Sequence, residues 1–144
     1  MWIAIFSSLI IFLDQISKFL IRNNLTEYQE INIIKNFLSL RFIKNEGAAF
    51  GILVGQRQFF IIITFLFFCL IFYLYKNELS DRWTAKLALI FLLGGSIGNL
   101  IDRISFHYVI DFIAVANFPV FNIADIFIFL GVIILLINLL FLED

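Results

Sequence analysis

Cysteine, proline and histidine occur only once each in these 144 residues, as Cys69, Pro119 and His107. A lone cysteine excludes an intramolecular disulfide, and Cys69 sits in an apolar run where packing is role enough. A lone histidine outside any H-E-x-x-H pattern leaves too few ligands for a zinc protease, so neither a metal nor another cofactor is expected. A basic surplus is also missing: 10 Lys and Arg stand against 11 Asp and Glu, which argues against nucleic acid as a partner. Pro/Ser-rich linkers, low-complexity tracts and internal repeats are lacking too, so residues 1–144 are expected to form a single domain.

What the chain has instead is apolar bulk. Its composition is 62% hydrophobic and 18% aromatic with a mean hydropathy of +1.04, more than a soluble core of this size can hide. Crossing a hydrocarbon layer of ~30 Å takes roughly 20 mainly apolar residues. Four stretches qualify: Trp2 to Ile21, Phe59 to Tyr75, Trp83 to Ile104 and Ile123 to Leu142. They predict an all-α membrane protein, a four-helix transmembrane bundle. The first stretch lacks a basic n-region and a small-residue cleavage site, and Asp14 and Lys18 interrupt it, so it is expected to be a retained helix. Trp2, Tyr73, Tyr75 and Trp83 fall at helix ends, where amphipathic rings favour the interface. Lys76 to Arg82 is expected to be a tight polar turn, and Pro119 to help turn the chain into the fourth helix.

Four crossings place both termini on one side and the 22–58 and 105–122 connections on the other, where the site is expected. Arg22, Lys35, Arg41, Lys44 and Arg57 lie in the first connection, against Lys76, Arg82 and Lys86 at the second. Taken literally, the positive-inside rule puts the termini outside. Within the first connection, Leu38, Leu40 and Phe42 alternate with Ser39, Arg41 and Ile43, the period of a short amphipathic strand. The small-residue segment from Asn45 to Gly51 then suits a turn or a close backbone approach. This β-element could rest on the membrane over the bundle mouth; an ordinary surface hairpin fits the pattern equally.

An ionisable group at bilayer depth costs at least ~2.5 kcal/mol and needs a partner or a task. Asp14 and Lys18, spaced i,i+4, can neutralise each other as a structural pair. Asn99, Asp102 and Arg103 close the third helix, and Asn122 and Asp125 open the fourth on a shared face. Asp111 lies between them, flanked by Val109, Ile110, Phe112 and Ile113, an odd setting for a solvated carboxylate. Two carboxylates in one poorly hydrated pocket cannot both ionise easily, so one stays protonated beside an anion. That asymmetry serves acid/base activation of water, although spacing alone does not assign the two roles. Gly94-Gly95-Ser96-Ile97-Gly98 satisfies G-x-S-x-G, but inside an apolar helix it spells G-x-x-x-G packing rather than a nucleophile elbow. A small proton-coupled carrier using Asp102 and Asp125 is the competing class; against it, the charges gather at one face of the bundle.

Five segments carry a resemblance to a known family: Asp14-Gln-Ile-Ser-Lys18, Asn45-Glu-Gly-Ala-Ala-Phe-Gly51, Gly94-Gly-Ser-Ile-Gly-Asn-Leu-Ile-Asp-Arg103, Val109-Ile-Asp-Phe112 and Phe121-Asn-Ile-Ala-Asp125. In this order they resemble the motifs of bacterial lipoprotein signal peptidase, an aspartyl intramembrane peptidase. The resemblance implies a catalytic dyad of Asp111 and Asp125. It implies that Asn45, Gly47, Asn99, Arg103 and Asn122 line or support the site, with Asp14, Lys18 and Asp102 as structural polar partners. Arg103 would steady a substrate carbonyl or simply pair with Asp102. The implied substrate is a diacylglyceryl-modified prolipoprotein, cut just before the lipidated cysteine by a monomer among membrane lipids. The implied place is the bacterial cytoplasmic membrane, with both termini cytoplasmic and the site on the extracytoplasmic side.

Overall fold

All four apolar stretches are helical, and each of these helices is long and apolar enough to span a membrane. The computed structural model describes residues 1–27, 29–47, 52–79 and 82–140. In chain order it contains α1 (Trp2–Asn24), β1 (Glu30–Ile34), β2 (Leu38–Asn45), α2 (Arg57–Leu74), α3 (Trp83–Phe106), β3 (Val109–Val115) and α4 (Ile123–Leu140). The helices overrun the predicted spans by up to three residues, because the flanking polar residues still favour helix where tertiary contacts extend it. Of the expected Lys76 to Arg82 turn, the first part is corrected, since Tyr75–Leu79 continues α2 as a π-helical segment, while Ser80 and Asp81 lie outside the described residues. Ala48 to Gly51 of the small-residue motif, and Phe141 and Leu142 of the fourth span, lie outside the described residues.

Close packing of α3 explains why its glycines cluster. A Cβ on Gly94 would lie 2.7 Å from Ile10 of α1, one on Gly98 2.6 Å from Asp14 Oδ2, and one on Gly95 2.5 Å from the Ala124 carbonyl of α4. Gly94 and Gly98 thus seat α1 while Gly95 seats α4, as small residues do between membrane helices. Ser96 lies within this packed helix, eleven residues before His107, which puts them roughly 16 Å apart along the axis. A serine nucleophile served by that histidine is excluded. Outward faces remain apolar and exposed, with Phe12 and Phe19 on α1 and Phe65 and Leu66 on α2 among the exposed side chains.

The β-element is larger than expected, a three-stranded antiparallel sheet in the order β1-β2-β3. It caps the bundle where α1 and α3 finish and α2 and α4 begin. Beneath it, Phe42, Ile110 and Phe112 pack on Ile21 and Leu25. The simple alternation expected from Leu38 to Ile43 is corrected, because Ser39 and Phe42 are the buried residues of β2. A bulge is the cause: Leu40 pairs with Ile113, whereas Ile43 pairs with Asp111, so two residues of β2 oppose one of β3. The extra residue flips the face of everything after it. Without it, Phe42 would oppose Asp111 and Lys44 would oppose Val109; with it, Asn45 takes that place.

Candidate active site

Asp111 sits mid-way along β3, a strand with its first four residues buried, and is itself only 3% exposed. Its Oδ2 accepts 2.7 Å from Asn45 Nδ2, the diagonal cross-strand neighbour that the bulge supplies. Its Oδ1 accepts 2.7 Å from Asn122 Nδ2. Burial, and after it the charge of Asp125, push the Asp111 carboxyl up to about 7, against the two amide donors that favour the anion.

Asp125 stands on the first turn of α4, at the third position after the N-cap Asn122. The two residues form a reciprocal cap: Asp125 N donates to Asn122 Oδ1 at 2.9 Å and Asn122 N donates to Asp125 Oδ2 at 3.1 Å. Asp125 Oδ1 accepts 2.7 Å from Asn99 Nδ2 of α3. A helix N-terminus carries partial positive charge, which favours a carboxylate there. Asn122 is fully buried and connects both carboxylates, since its Nδ2 also reaches Asn99 Oδ1 at 3.1 Å and the Ile110 carbonyl at 3.3 Å.

Below this pair lies a buried charge cluster. The Lys18 ammonium donates to Asp14 Oδ2 at 2.8 Å, Asp102 Oδ2 at 2.9 Å and Asn99 Oδ1 at 2.9 Å. Asp14 Oδ1 accepts from the Ala124 amide at 3.0 Å, and Asp102 Oδ2 from the Ile110 amide at 3.1 Å. Gln15 links the two carboxylates through Nε2, at 3.2 Å from Asp14 and 2.9 Å from Asp102. Removing one partner from such a buried set costs about 3–5 kcal/mol, because it strands the others.

Sequence reasoning missed Gln15, whose neutral amide raises no alarm in an apolar helix. The alternative pairing of Arg103 with Asp102 is not formed. Asp102 is held by Lys18 and Gln15, while Arg103 turns the other way, its guanidinium 4.8 Å from the Phe60 ring centre and at the long limit of 3.5 Å from the Gly47 carbonyl.

The carboxylates face a cavity of about 720 Å³. Asn45, Gly47, Asn99, Arg103, Asp111 and Asp125 supply its polar end, while Phe60 and Phe118 with Ile126, Phe129 and Leu130 of α4 make the rest apolar. Asn122, Asp14, Lys18 and Asp102 support this wall from behind. Among the described residues no group of three or more His, Cys, Asp or Glu is placed to hold a metal.

The family model for signal peptidase (SPase) II matches residues 6–141, nearly the whole chain. The chain belongs to the signal peptidase II family. The lipoprotein signal peptidase of Moorella thermoacetica is 42% identical over 132 residues, covering 92% of this chain and 88% of that protein. That of Halothermothrix orenii is 43% identical over 133 residues, covering 91% and 90%. A bacterial membrane enzyme solved by the in meso method at 2.3 Å superposes with a TM-score of 0.87 at 32% identity, covering 96% of this chain and 87% of that one. As a signal peptidase II the chain is a multi-pass membrane peptidase of the aspartic type. This excludes the carrier alternative.

Proposed function

We propose that this peptidase hydrolyses the peptide bond just before the lipidated cysteine of diacylglyceryl-modified prolipoproteins, with Asp111 and Asp125 as the dyad. The observation that carries the proposal is the convergence of two unlike carboxyls on the polar end of one largely apolar cavity. Asp125, at a helix N-terminus and under the Asn99 amide, is the anion that takes a proton from water. Asp111, whose burial favours the neutral form, donates its proton to the scissile carbonyl oxygen as the water oxygen bonds to carbon. As one hydroxyl of the resulting gem-diol returns its proton to Asp111, the carbonyl re-forms, the C–N bond breaks, and the proton held on Asp125 passes to the leaving amine, which restores both carboxyls. Arg103 places a fixed positive charge at the same wall. The apolar end of the cavity suits acyl chains, so that a lipid anchor would hold the scissile bond at the dyad.

The same proposal sets the termini in the cytoplasm and the sheet on the extracytoplasmic side of the bacterial cytoplasmic membrane. The positive charges that obscured the orientation have local partners: Arg41 pairs with Glu30, Lys44 with Glu27, and Arg57 donates to the Arg103 and Ile104 carbonyls that end α3. They serve the sheet and the helix end rather than the orientation of the chain. The deciding experiment incubates purified protein with a lipidated and an unlipidated lipobox peptide. Cleavage of the lipidated one alone, before its cysteine, is the expected result; equal cleavage of both defeats the lipid-anchor proposal.

A further inference from the structure

We propose that Lys18 is a positioning residue for the dyad: its ammonium fixes the orientation of the Asn99 amide, and thereby the hydrogen-bonding group that Asn99 presents to Asp125. The inference rests on the dyad reading and extends it to a residue on α1 that touches neither carboxylate of the dyad.

An ammonium can only donate, so the Asn99 atom 2.9 Å from Lys18 Nζ is the amide oxygen. The other two ammonium protons are taken by Asp14 Oδ2 and Asp102 Oδ2, which leaves Lys18 no alternative arrangement. With its oxygen so anchored, Asn99 must turn Nδ2 towards Asp125 Oδ1, 2.7 Å away. A flipped amide would set NH₂ against the ammonium and against the Asn122 NH₂. It would also set an oxygen against the Asp125 carboxylate, which is tolerable only if Asp125 carries a proton. Lys18 therefore dictates, at one remove, that Asn99 presents a donor rather than an acceptor to Asp125. Asn122 Nδ2 alone holds the amide poorly, because it is shared among Asn99, Asp111 and the Ile110 carbonyl.

The charged groups around the relay are Asp14 on α1, Asp102 and Arg103 on α3, Asp111 on β3 and Asp125 on α4. From β2 comes only the neutral Asn45, and from α2 Phe60. Removing the Lys18 charge would by itself favour protonated carboxyls, so the test must separate that field from the amide.

The experiment is a double-mutant cycle on the full chain, with Lys18→Met, Asn99→Ala and their combination, measuring kcat for a lipidated lipobox peptide from pH 5 to 9. Lys18→Met is expected to lower kcat by about 10- to 100-fold, the scale of lost outer partners, and to move the acid limb of the profile to higher pH. In the Asn99→Ala background the same substitution should add less than about twofold and a smaller pH displacement, that of the lost charge alone, because the relay is already gone. Multiplying effects, or an acid limb displaced equally in both backgrounds, would show a structural or long-range role and overturn the inference. Should Lys18→Met fail to insert, Lys18→Met/Asp102→Asn, which removes one buried charge of each sign, enters the same cycle with the same criteria. Asp125→Asn run in parallel separates the two levels. Full activity there defeats the dyad itself, whereas a dead Asp125→Asn beside a multiplying cycle defeats only the role of Lys18.

Discussion

Asn122 is fully buried, yet it is the residue through which the two aspartates share a framework, donating to Asp111 while capping the helix that carries Asp125. Its side-chain amide holds the Asp111 carboxyl and its backbone N–H the Asp125 carboxyl, and of the three residues the aspartates alone can exchange protons. Asp111→Asn and Asp125→Asn should each lower turnover by at least ~10²-fold with membrane insertion intact, the scale of general acid/base loss. Ser96→Ala and His107→Ala should keep most activity, as measured on one lipidated peptide at equal expression. A second expectation concerns pH. Turnover that needs protonated Asp111 declines as pH rises through about 7. Asn45 donates to the anion, so Asn45→Ala makes the proton harder to remove and should move that alkaline limb upward. Because the Asp111 pKa is higher folded than unfolded, the stability this residue contributes is full at low pH and is lost as pH rises towards 7. Asp111→Asn should therefore gain thermal stability relative to the parent between pH 4 and pH 8. At this scale the sequence was legible wherever charge met apolar surroundings: Asp14, Lys18, Asp102, Asp111 and Asp125 all stood out. Gln15 did not, since only the folded neighbourhood shows that it ties two carboxylates together.

Among the elements, the helices were legible because a run of about 20 apolar residues has few other uses. The strands were harder. β3 is buried on both faces and does not alternate, and β1 is exposed throughout, so neither carries the period by which β2 declared itself. The bulge was invisible, because it depends on the register of a partner about 70 residues away, and yet it decides that an asparagine rather than a lysine meets Asp111. Two glycines separate packing from site shape. Gly98→Ala forces a Cβ to 2.6 Å from Asp14 Oδ2 and should cost about 1–3 kcal/mol in thermal or denaturant unfolding, the scale of overpacking. Gly47→Val would put its Cβ 2.5 Å from the Ile52 carbonyl, where loop backbone must move. That variant should insert and unfold normally while losing turnover; unchanged activity would show that the loop does not shape the site.

For the molecule as a whole, four helices and one capping sheet make orientation a binary question that labelling can answer. With Cys69 replaced by serine, Lys35→Cys should react with an impermeant thiol reagent in intact cells, and Asn77→Cys only after lysis. The reverse pattern would invert the proposed topology. The proposed topology runs against a literal charge count, which treats every lysine and arginine as free, whereas Arg41, Lys44 and Arg57 are engaged by the fold. The bond from the Ala124 amide to Asp14 joins positions 110 residues apart, the first helix to the start of the last. Synthesis proceeds from the amino terminus, so a ribosome-bound chain that has delivered three helices still lacks Asp125, and its Asp14 still lacks that amide. On the proposed dyad, a protease made inside the membrane it serves stays inert until its fourth helix has begun to form.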